Sequence, residues 1–355
     1  MLGRQEPARL EKGARMKVGK RSWRAAGVVG LATAAMVIGA SSYPAGASTR
    51  APRSSGSNIK IVFVSGPLSD SFFPPLYNGA KAAAHDLGIA FNYIPINESD
   101  IEQSSAQTME AAIAEHPNAI VVGDFIPPVV DPLIKKAISD GIPVYVDQSG
   151  QTQWKSDGAF GFVGQQGPAV GAAAAAQYLK LGAKKVLCVI NVPGNPYLSS
   201  VCEGLSKALK AGGGSSANLL LPTADSTIPE KVAGDIGAYL TVHHGFEGVF
   251  CENAAVGTAA VSALQTIGQS GKVRVGTMEL SKLALDYVKT GQISFLVNEQ
   301  PYLDGFFGEM FAYLYAKYGL APVGPVATGP SIIDKTNIRQ VMAIVRKYPG
   351  VLGSD

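Results

Sequence analysis

Short apolar runs recur along the chain at the spacing expected of buried β-strands. The first of them, at residues 59–64, is rich in β-branched side chains, as in a strand buried on both faces of a parallel sheet. Stretches with a helical pattern, such as 106–115 and 132–140, separate it from similar runs at 90–95, 119–122 and 143–146. This alternation predicts a parallel sheet with helices on both faces.

The alternation lapses between residues 148 and 161 and then resumes. Further strands are predicted at 160–163, 185–190, 217–221, 248–251, 272–275, 294–297 and 331–333. Helical patterns lie at 169–181, 199–211, 231–243, 256–268, 280–290 and 304–318. Two such series predict an α/β fold of two doubly wound parallel-sheet lobes. Ligands bind at the carboxyl edges of such sheets, so we expect a cleft between the lobes there.

The N-terminal segment has the order of regions found in a secretory signal peptide. Eight basic residues lie within 4–24, an uncharged run covers 25–40, and Ala45-Gly46-Ala47 forms a cleavage site. The run is shorter than the roughly 20 residues that span a bilayer, but an uncleaved membrane anchor is the alternative. We expect a protein exported to the periplasm or cell surface, with a signal peptide at 1–47 and a flexible linker at 48–57.

Removal of the signal segment changes the sign of the net charge. The whole chain has 30 Lys and Arg against 27 Asp and Glu, and residues 1–47 carry eight of the former and two of the latter. The rest of the chain therefore has 22 basic and 25 acidic residues and a formal charge of −3. Without a basic patch, no nucleic-acid partner is expected.

Three cysteines are present: Cys188, Cys202 and Cys251. In an oxidising compartment two of them could pair. Cys188 lies in a predicted strand and Cys202 near the start of the next helix, so a disulfide across that loop is geometrically reasonable. Buried free thiols are the alternative. The histidines show no ligand spacing with these cysteines, and we predict neither a metal site nor a cofactor.

Motifs of several large classes of protein are missing from the sequence. It has no Gly-x-Ser-x-Gly elbow, no Gly-x-x-x-x-Gly-Lys-Ser/Thr loop and no strand-following Gly-x-Gly-x-x-Gly. We therefore predict that the protein is not an enzyme. A DNA-binding relative of this fold would begin with a helix-turn-helix, and the export signal occupies that place.

Several short motifs resemble, in order and spacing, the type I periplasmic binding proteins of the ribose-binding kind. They are Asp70-x-Phe72-Phe73, Gly141-Ile142-Pro143-Val144-x-x-Asp147, Gly164-Gln165, Phe250-x-x-Asn253 and Glu299-Gln300-Pro301-Tyr302-x-x-Gly305. The resemblance covers residues 58–335. Within this class, Leu187-Cys188-Val189 and Cys202-Glu203-Gly204 resemble a subgroup of sugar-transporter solute-binding proteins in which the paired cysteines recur.

The resemblance implies two lobes that close over a ligand about a hinge of three segments. It places residues 58–148 plus 299–326 in the N-terminal lobe and residues 149–298 plus 327–345 in the C-terminal lobe. Such a protein is a monomer that captures a small, carbohydrate-like solute and delivers it to the membrane permease of an ABC transporter. A ligand-sensing receptor component of the same fold is the alternative.

The resemblance also implies ligand contacts at matching positions. Asp70 would supply a polar contact, Phe72 and Phe73 aromatic platforms, and Asn253 an amide for ligand hydroxyls. The other implied ligand-binding positions are Asp147, Glu279 and Glu299. For Asp147 and Glu299, a role in hinge geometry alone is the alternative.

The chain departs from the family pattern at two positions. Val201 stands where family members have an arginine and Met278 where they have an aspartate, although Glu279 is adjacent. Because these charged groups usually bind polyol hydroxyls, their loss favours a less polar, non-sugar solute as the alternative ligand. The cleft would then hold Phe72, Phe73, Ile126, Val201 and Met278. Tyr197 and Trp154 are further candidate contacts, with loop packing as their alternative.

Overall fold

The computed structural model describes residues 58–222 and 224–352. The predicted signal peptide at 1–47 and linker at 48–57 lie outside the described residues. The strands are β1 (Lys60–Ser65), β2 (Ala90–Pro95), β3 (Ala119–Val122), β4 (Val144–Asp147), β5 (Gly161–Gly164), β6 (Lys185–Ile190), β7 (Ser215–Leu220), β8 (Gly248–Cys251), β9 (Arg274–Met278), β10 (Phe295–Asn298), β11 (Val326–Ala327) and β12 (Ser331–Asp334).

The helices alternate with these strands along most of the chain. They are α1 (Phe73–Leu87), α2 (Ile101–Ala114), α3 (Pro127–Ser139), α4 (Gly167–Lys180), α5 (Pro196–Ala211), α6 (Pro229–Val242), α7 (Ala254–Thr266), α8 (Lys282–Thr290), α9 (Pro301–Tyr318) and α10 (Ile338–Lys347). Among the described helices, none is both long and apolar enough to cross a membrane.

The strands form two six-stranded sheets with the same winding order. The first sheet has the order β11-β5-β4-β3-β1-β2 and the second the order β12-β10-β9-β8-β6-β7. All pairs are parallel except β10 with β12, which are antiparallel. The winding direction reverses beside β1 in one sheet and beside β6 in the other, which opens a crevice at each carboxyl edge. The predicted two-lobed, doubly wound α/β fold is thus confirmed.

The lobe boundary predicted at residue 148 is wrong. The sequence pattern places β5 in the second lobe. In the structure β5 extends the first sheet, with Tyr145 paired to Gly161 and Asp147 to Val163. The irregular stretch after β4 is therefore a loop within the first lobe. The chain first crosses to the second lobe after Gly164, where α4 begins to pack against α5.

Most helices begin earlier than their apolar pattern predicts, and proline starts many of these, whereas α8 begins later, at Lys282. Proline occupies the first or second helical position of α1, α3, α4, α5, α6 and α9. Proline suits this position, since its missing N–H would have no partner in the helix and its φ is already helical. These first turns lie next to the carboxyl ends of the strands. Their side chains do not show the apolar repeat of a helix that faces the core.

One side-chain amide connects the three segments that cross between the lobes. Nε2 of the fully buried Gln165, in the first crossing, donates to the carbonyl oxygen of Glu299 at 2.8 Å and to Oγ1 of Thr328 at 3.0 Å. Oδ2 of Asp304 also lies 2.7 Å from this nitrogen, so its two N–H groups are shared among three acceptors. The Thr328 hydroxyl donates to the other oxygen of the Asp304 carboxylate at 2.5 Å. Asp304 belongs to the first turn of α9. The hinge is therefore a buried polar network and not a set of independent linkers.

Another buried carboxyl group lies within the first lobe, away from the hinge. Glu309 in α9 is fully buried, and neither of its carboxylate oxygens has a hydrogen-bond partner among the described residues. Burial raises the pKa of Glu309 to about 8. The folded protein therefore binds this proton more tightly than the unfolded chain does.

We expect Gln165→Leu to lower the free energy of unfolding by about 1–3 kcal/mol, because it leaves buried acceptors of the other two crossings without their donor. Urea unfolding monitored by circular dichroism measures this change. The control is Gln166→Leu, since the Nε2 of this neighbouring glutamine has no partner among the described residues. Equal losses in the two variants would contradict the role of the amide.

We expect Glu309→Gln to stabilise the protein more at alkaline than at acidic pH. The pKa of Glu309 in the folded state lies above its ordinary value of 4.5. The stability of the parent protein is therefore greatest below pH 4.5 and falls as the pH rises towards about 8. A glutamine does not titrate, so the gap in melting temperature between variant and parent should widen across this interval. A gap that does not change with pH would show that Glu309 ionises normally.

Candidate functional site

A small cavity lies between the carboxyl edges of the two sheets. The first lobe contributes the loops after β1, β2, β3 and β4, and the second lobe those after β6, β8 and β9. The residues that line it are Gly66, Asp70, Phe73, Ile96, Glu98, Ile101, Phe125, Gln148, Asn191, Val192, Asn195, Leu198, Glu252, Asn253 and Glu279. Both lobes thus form its wall.

A hydrogen bond between two side chains joins the lobes directly at this cavity. Nδ2 of Asn253 donates to Oδ2 of Asp70 at 2.8 Å. The other oxygen of Asp70 accepts from the backbone N–H of Phe72 at 2.7 Å, which fixes the carboxylate before α1. The lobes are therefore closed over the cavity, and Asp70 is held in place by its own loop.

Two asparagines cap helices at the cavity wall, and the caps fix which way each amide faces. Oδ1 of Asn253 accepts from the first N–H groups of α7, and Oδ1 of Asn195 accepts from those of α5. Each side chain therefore presents its NH₂ group as the remaining donor. The hydroxyl of Ser149 also donates to Oδ1 of Asn195 at 3.2 Å, a second contact between the lobes.

Four carboxyl groups line the cavity, those of Asp70, Glu98, Glu252 and Glu279. Burial is the largest cause that raises the pKa of each of them, to about 8 for Glu98. Proximity adds to the effect, since the Asp70 carboxylate raises the pKa of both Glu98 and Glu279. The wall is therefore rich in carboxyl groups, and these groups repel one another when they are ionised.

Two residues of the wall have a left-handed backbone. Gln148 follows β4 with φ of 58° and Glu279 follows β9 with φ of 62°. This conformation is uncommon for residues other than glycine and costs of the order of 1 kcal/mol. Oε2 of Glu279 also accepts from the N–H of Ala254, at 3.3 Å, at the start of α7. The strained backbone aims the Glu279 side chain at the space between the lobes.

Glu299 and Tyr197 lie behind the cavity wall, next to the hinge. The hydroxyl of Tyr197 donates to Oε1 of Glu299, and both side chains are buried. Burial raises the pKa of Glu299 to about 8, and the hydrogen bond from Tyr197 partly opposes this shift. The pair connects α5 to the second crossing segment and does not line the cavity.

Several residues that the sequence suggested as contacts lie elsewhere. Phe72 is 2% exposed and packs its ring edge-on against Phe73, at 5.2 Å between ring centroids. Since neighbouring helical side chains point about 100° apart, only Phe73 reaches the cavity. The others are buried in the hydrophobic cores or, for Asp147, at the end of β4: Ile126, Asp147, Trp154, Val201 and Met278.

The cleft is consequently less apolar than the sequence analysis expected. Val201 and Met278 share the core of the second lobe with Phe250 and Phe295 and do not border the cavity. Of the residues suggested for a less polar ligand, Phe73 alone lines the wall. Val201 and Met278 therefore add no apolar surface to the cavity.

Sequence analysis missed five polar residues of the wall: Glu98, Gln148, Asn191, Asn195 and Glu252. A usable signal existed for four of them. Gln148, Asn191 and Glu252 directly follow β4, β6 and β8. Asn195 precedes a proline at a helix start, which is the pattern of an N-cap. Glu98 lies in a short turn after β2 and carried no comparable signal.

Cys188 in β6 and Cys202 in α5 are joined by a disulfide, with their Cα atoms 5.9 Å apart. Cys251 is a buried free thiol. Sγ of Cys202 lies 3.3 Å from Oε1 of Glu252. The disulfide thus attaches α5, whose N-cap lines the cavity, to strand β6 of the second sheet.

A family model described as a periplasmic binding protein domain matches residues 61–319. The chain is 24% identical over 307 residues to a xylose/arabinose-binding protein of Sulfolobus acidocaldarius, which covers 82% of this chain and 74% of the relative. The match to a family model over most of the chain is consistent with the two-lobed fold and the cleft described above.

Solved structures of similar proteins share this architecture. A carbohydrate transporter from Acidothermus cellulolyticus 11B in complex with myo-inositol is 27% identical, with a TM-score of 0.75 over 83% of this chain and 100% of that chain. A solute-binding protein from Burkholderia graminis C4D1M in complex with D-arabinose is 20% identical, with a TM-score of 0.72 over 80% of this chain and 98% of that chain. The second likeness shows the fold alone.

We expect Asn253→Asp to open the lobes without loss of fold stability. Aspartate caps a helix as well as asparagine does, but it cannot donate to Asp70 and places a second carboxylate beside it. Loss of a hydrogen bond to a charged group, about 1.5–3 kcal/mol, shifts the balance between closed and open forms tenfold or more. Small-angle X-ray scattering of the ligand-free protein should show a larger radius of gyration.

Asn253→Ser is the matched control for this experiment, since serine keeps the cap but adds no charge. Its scattering should lie between those of the parent and Asn253→Asp. If the Asp variant scatters like the parent while its melting temperature is unchanged, the contact between Asp70 and Asn253 does not hold the lobes closed.

Proposed function

The chain belongs to the periplasmic binding protein domain family, and we propose that it is an exported solute-binding protein for a small hydroxylated ligand. The ligand occupies the cavity between the lobes and is passed to the permease of an ABC transporter. The protein acts as a monomer and binds without chemical change. Residues 1–47 direct its export.

The observation that carries this proposal is the wall of the cavity, to which both lobes contribute. Asp70 and Phe73 face the ligand from the first lobe, and Asn195, Asn253 and Glu279 face it from the second. A ligand that contacts both lobes binds the closed form better than the open form and therefore shifts the population to the closed form. The closed form then distinguishes the loaded protein for its membrane partner.

The polar wall favours a hydroxylated ligand over the less polar alternative. Carboxylate oxygens accept from ligand hydroxyls, and the amides of Asn195 and Asn253 donate to them. Phe73 and Phe125, with ring centroids 6.0 Å apart, offer apolar surface for the C–H groups of a sugar or cyclitol ring. The ligands named for the similar proteins, xylose, arabinose and myo-inositol, are molecules of this kind.

A thermal-shift screen of the purified protein against pentoses, hexoses, cyclitols and apolar solutes of similar size tests the proposal. A ligand at one hundred times its dissociation constant stabilises the native state by about 2.7 kcal/mol, which raises the melting temperature visibly. We expect a shift with at least one sugar or cyclitol. Shifts from apolar solutes alone would overturn the hydroxylated ligand, and silence from all solutes would overturn solute binding.

We expect Phe73→Leu to weaken binding of the ligand identified in this screen roughly tenfold, because the ring is removed from the wall while apolar volume is largely kept. Phe72→Leu is the matched control, since Phe72 packs in the core and does not line the cavity. Calorimetric titration of both variants measures the difference. A larger loss in Phe72→Leu would reverse the assignment of the two rings.

A further inference from the structure

The cavity wall has acidic side chains but no basic ones. Four of its fifteen lining residues carry carboxyl groups, and none is lysine, arginine or histidine. The three arginines among the described residues, Arg274, Arg339 and Arg346, lie at the outer end of β9 and on α10. No cation of the described protein therefore compensates the acidic wall.

The carboxyl groups are also incompletely paired within the protein. Glu252 is 1% exposed, and its Oε2 has no hydrogen-bond partner among the described residues. Glu279 has one long contact, 3.3 Å from its Oε2 to the N–H of Ala254. A buried carboxylate without a partner is costly, so this arrangement is stable only with a proton or an external cation beside it.

The hinge behind the cavity contributes two further carboxyl groups. Glu299 and Asp304 lie in the second crossing, and each raises a neighbouring carboxyl's pKa: Glu299 that of Glu252, and Asp304 that of Glu299. Their own pKa values are raised, chiefly by burial, to about 8 and about 7. The cleft and the hinge behind it therefore hold several buried carboxyl groups, and no basic side chain lines the cavity.

A neutral polyol would not remove this imbalance, because each hydroxyl supplies one donor and no charge. An ammonium group supplies three donors and a positive charge in one small group. Its charge would strengthen hydrogen bonds to Glu252, Glu279 and Asp70 in a site that is mostly closed to water. The face of Phe73 or Phe125 can also accept a cation.

From the closed, acidic and unpaired wall we propose that the ligand carries an amine on a small hydroxylated frame, as in an amino sugar or an aminocyclitol. This inference rests on the proposed function and specifies its ligand class. The amine lies among the carboxylates of Asp70, Glu252 and Glu279. The amides of Gln148, Asn191 and Asn195 bind the hydroxyl oxygens.

Calorimetric titration of the purified protein at neutral pH with matched ligand pairs tests this inference. The pairs are D-glucose with D-glucosamine, D-galactose with D-galactosamine, and myo-inositol with an aminodeoxyinositol. Any other sugar or cyclitol found by the thermal-shift screen is paired with its own amine. 2-Deoxy-D-glucose separates the loss of a hydroxyl from the gain of an amine. We expect the amine of at least one pair to bind tenfold or more tightly than its neutral partner.

Variants then connect the preference to the wall. Glu279→Gln should weaken binding of the amine about tenfold more than binding of its neutral partner. Glu98→Gln, at a less buried position, should act in the same direction. The control is Glu203→Gln, which removes an equal charge from the exposed side of α5 in the same lobe.

The possible outcomes separate the two proposals. If neutral sugars or cyclitols bind as tightly as their amines, or more tightly, the proposal of an amine ligand is overturned. The proposal of a solute-binding protein then still stands. If Glu203→Gln changes the preference as much as Glu279→Gln, the preference comes from net charge and the wall assignment is overturned. If no member of any pair binds, both proposals fail.

Discussion

The buried amide of Gln165 is the constraint on which the two-lobed arrangement depends. It donates to groups of the other two crossing segments and to the Asp304 carboxylate at the start of α9. The three crossings must therefore lie side by side, since moving any one of them leaves a buried polar group without a partner. The hydroxyl of Thr328 completes the network by donating to Asp304 and accepting from Gln165. The lobes can change their angle about this point but cannot separate there.

The position of the cavity follows from that hinge and from the shared winding order of the sheets. Because both sheets point their carboxyl edges at each other, seven loops meet across the cleft. Asp70 and Asn253 connect the lobes on one side of the cavity, and Ser149 and Asn195 connect them nearer the hinge. Each asparagine also caps a helix, so the groups that contact the opposite lobe are fixed by local backbone structure. The wall is thus largely preformed, which reduces the entropy lost on binding.

The cleft and hinge concentrate features that are unfavourable for stability. Buried carboxyl groups with raised pKa values lie there, and three residues that are not glycine, Gln148, Glu279 and Gln300, have left-handed backbones within two residues of a strand end. Such features persist when the surrounding structure over-determines them, and they mark functional sites. The sign of the charge is what distinguishes this cleft, because the described residues bring acid from both lobes and no base. A ligand that supplies the missing positive charge would relieve part of this cost.

The sequence by itself determined the two-lobed fold and much of the site. Apolar runs located β3, β6 and β8 at their observed bounds, because a strand buried on both faces leaves an uninterrupted apolar signal. Asp70, Phe73, Asn253 and Glu279 could be selected because their motifs resemble those of the ribose-binding kind of periplasmic binding protein. Tertiary structure alone decided that β5 joins the first sheet, since the partner of a short strand depends on hydrogen bonds between distant segments. It also decided which of Phe72 and Phe73 faces the cavity, and that Val201 and Met278 lie in a core. The acidic character of the wall arises from residues far apart in sequence, so no local pattern could reveal it.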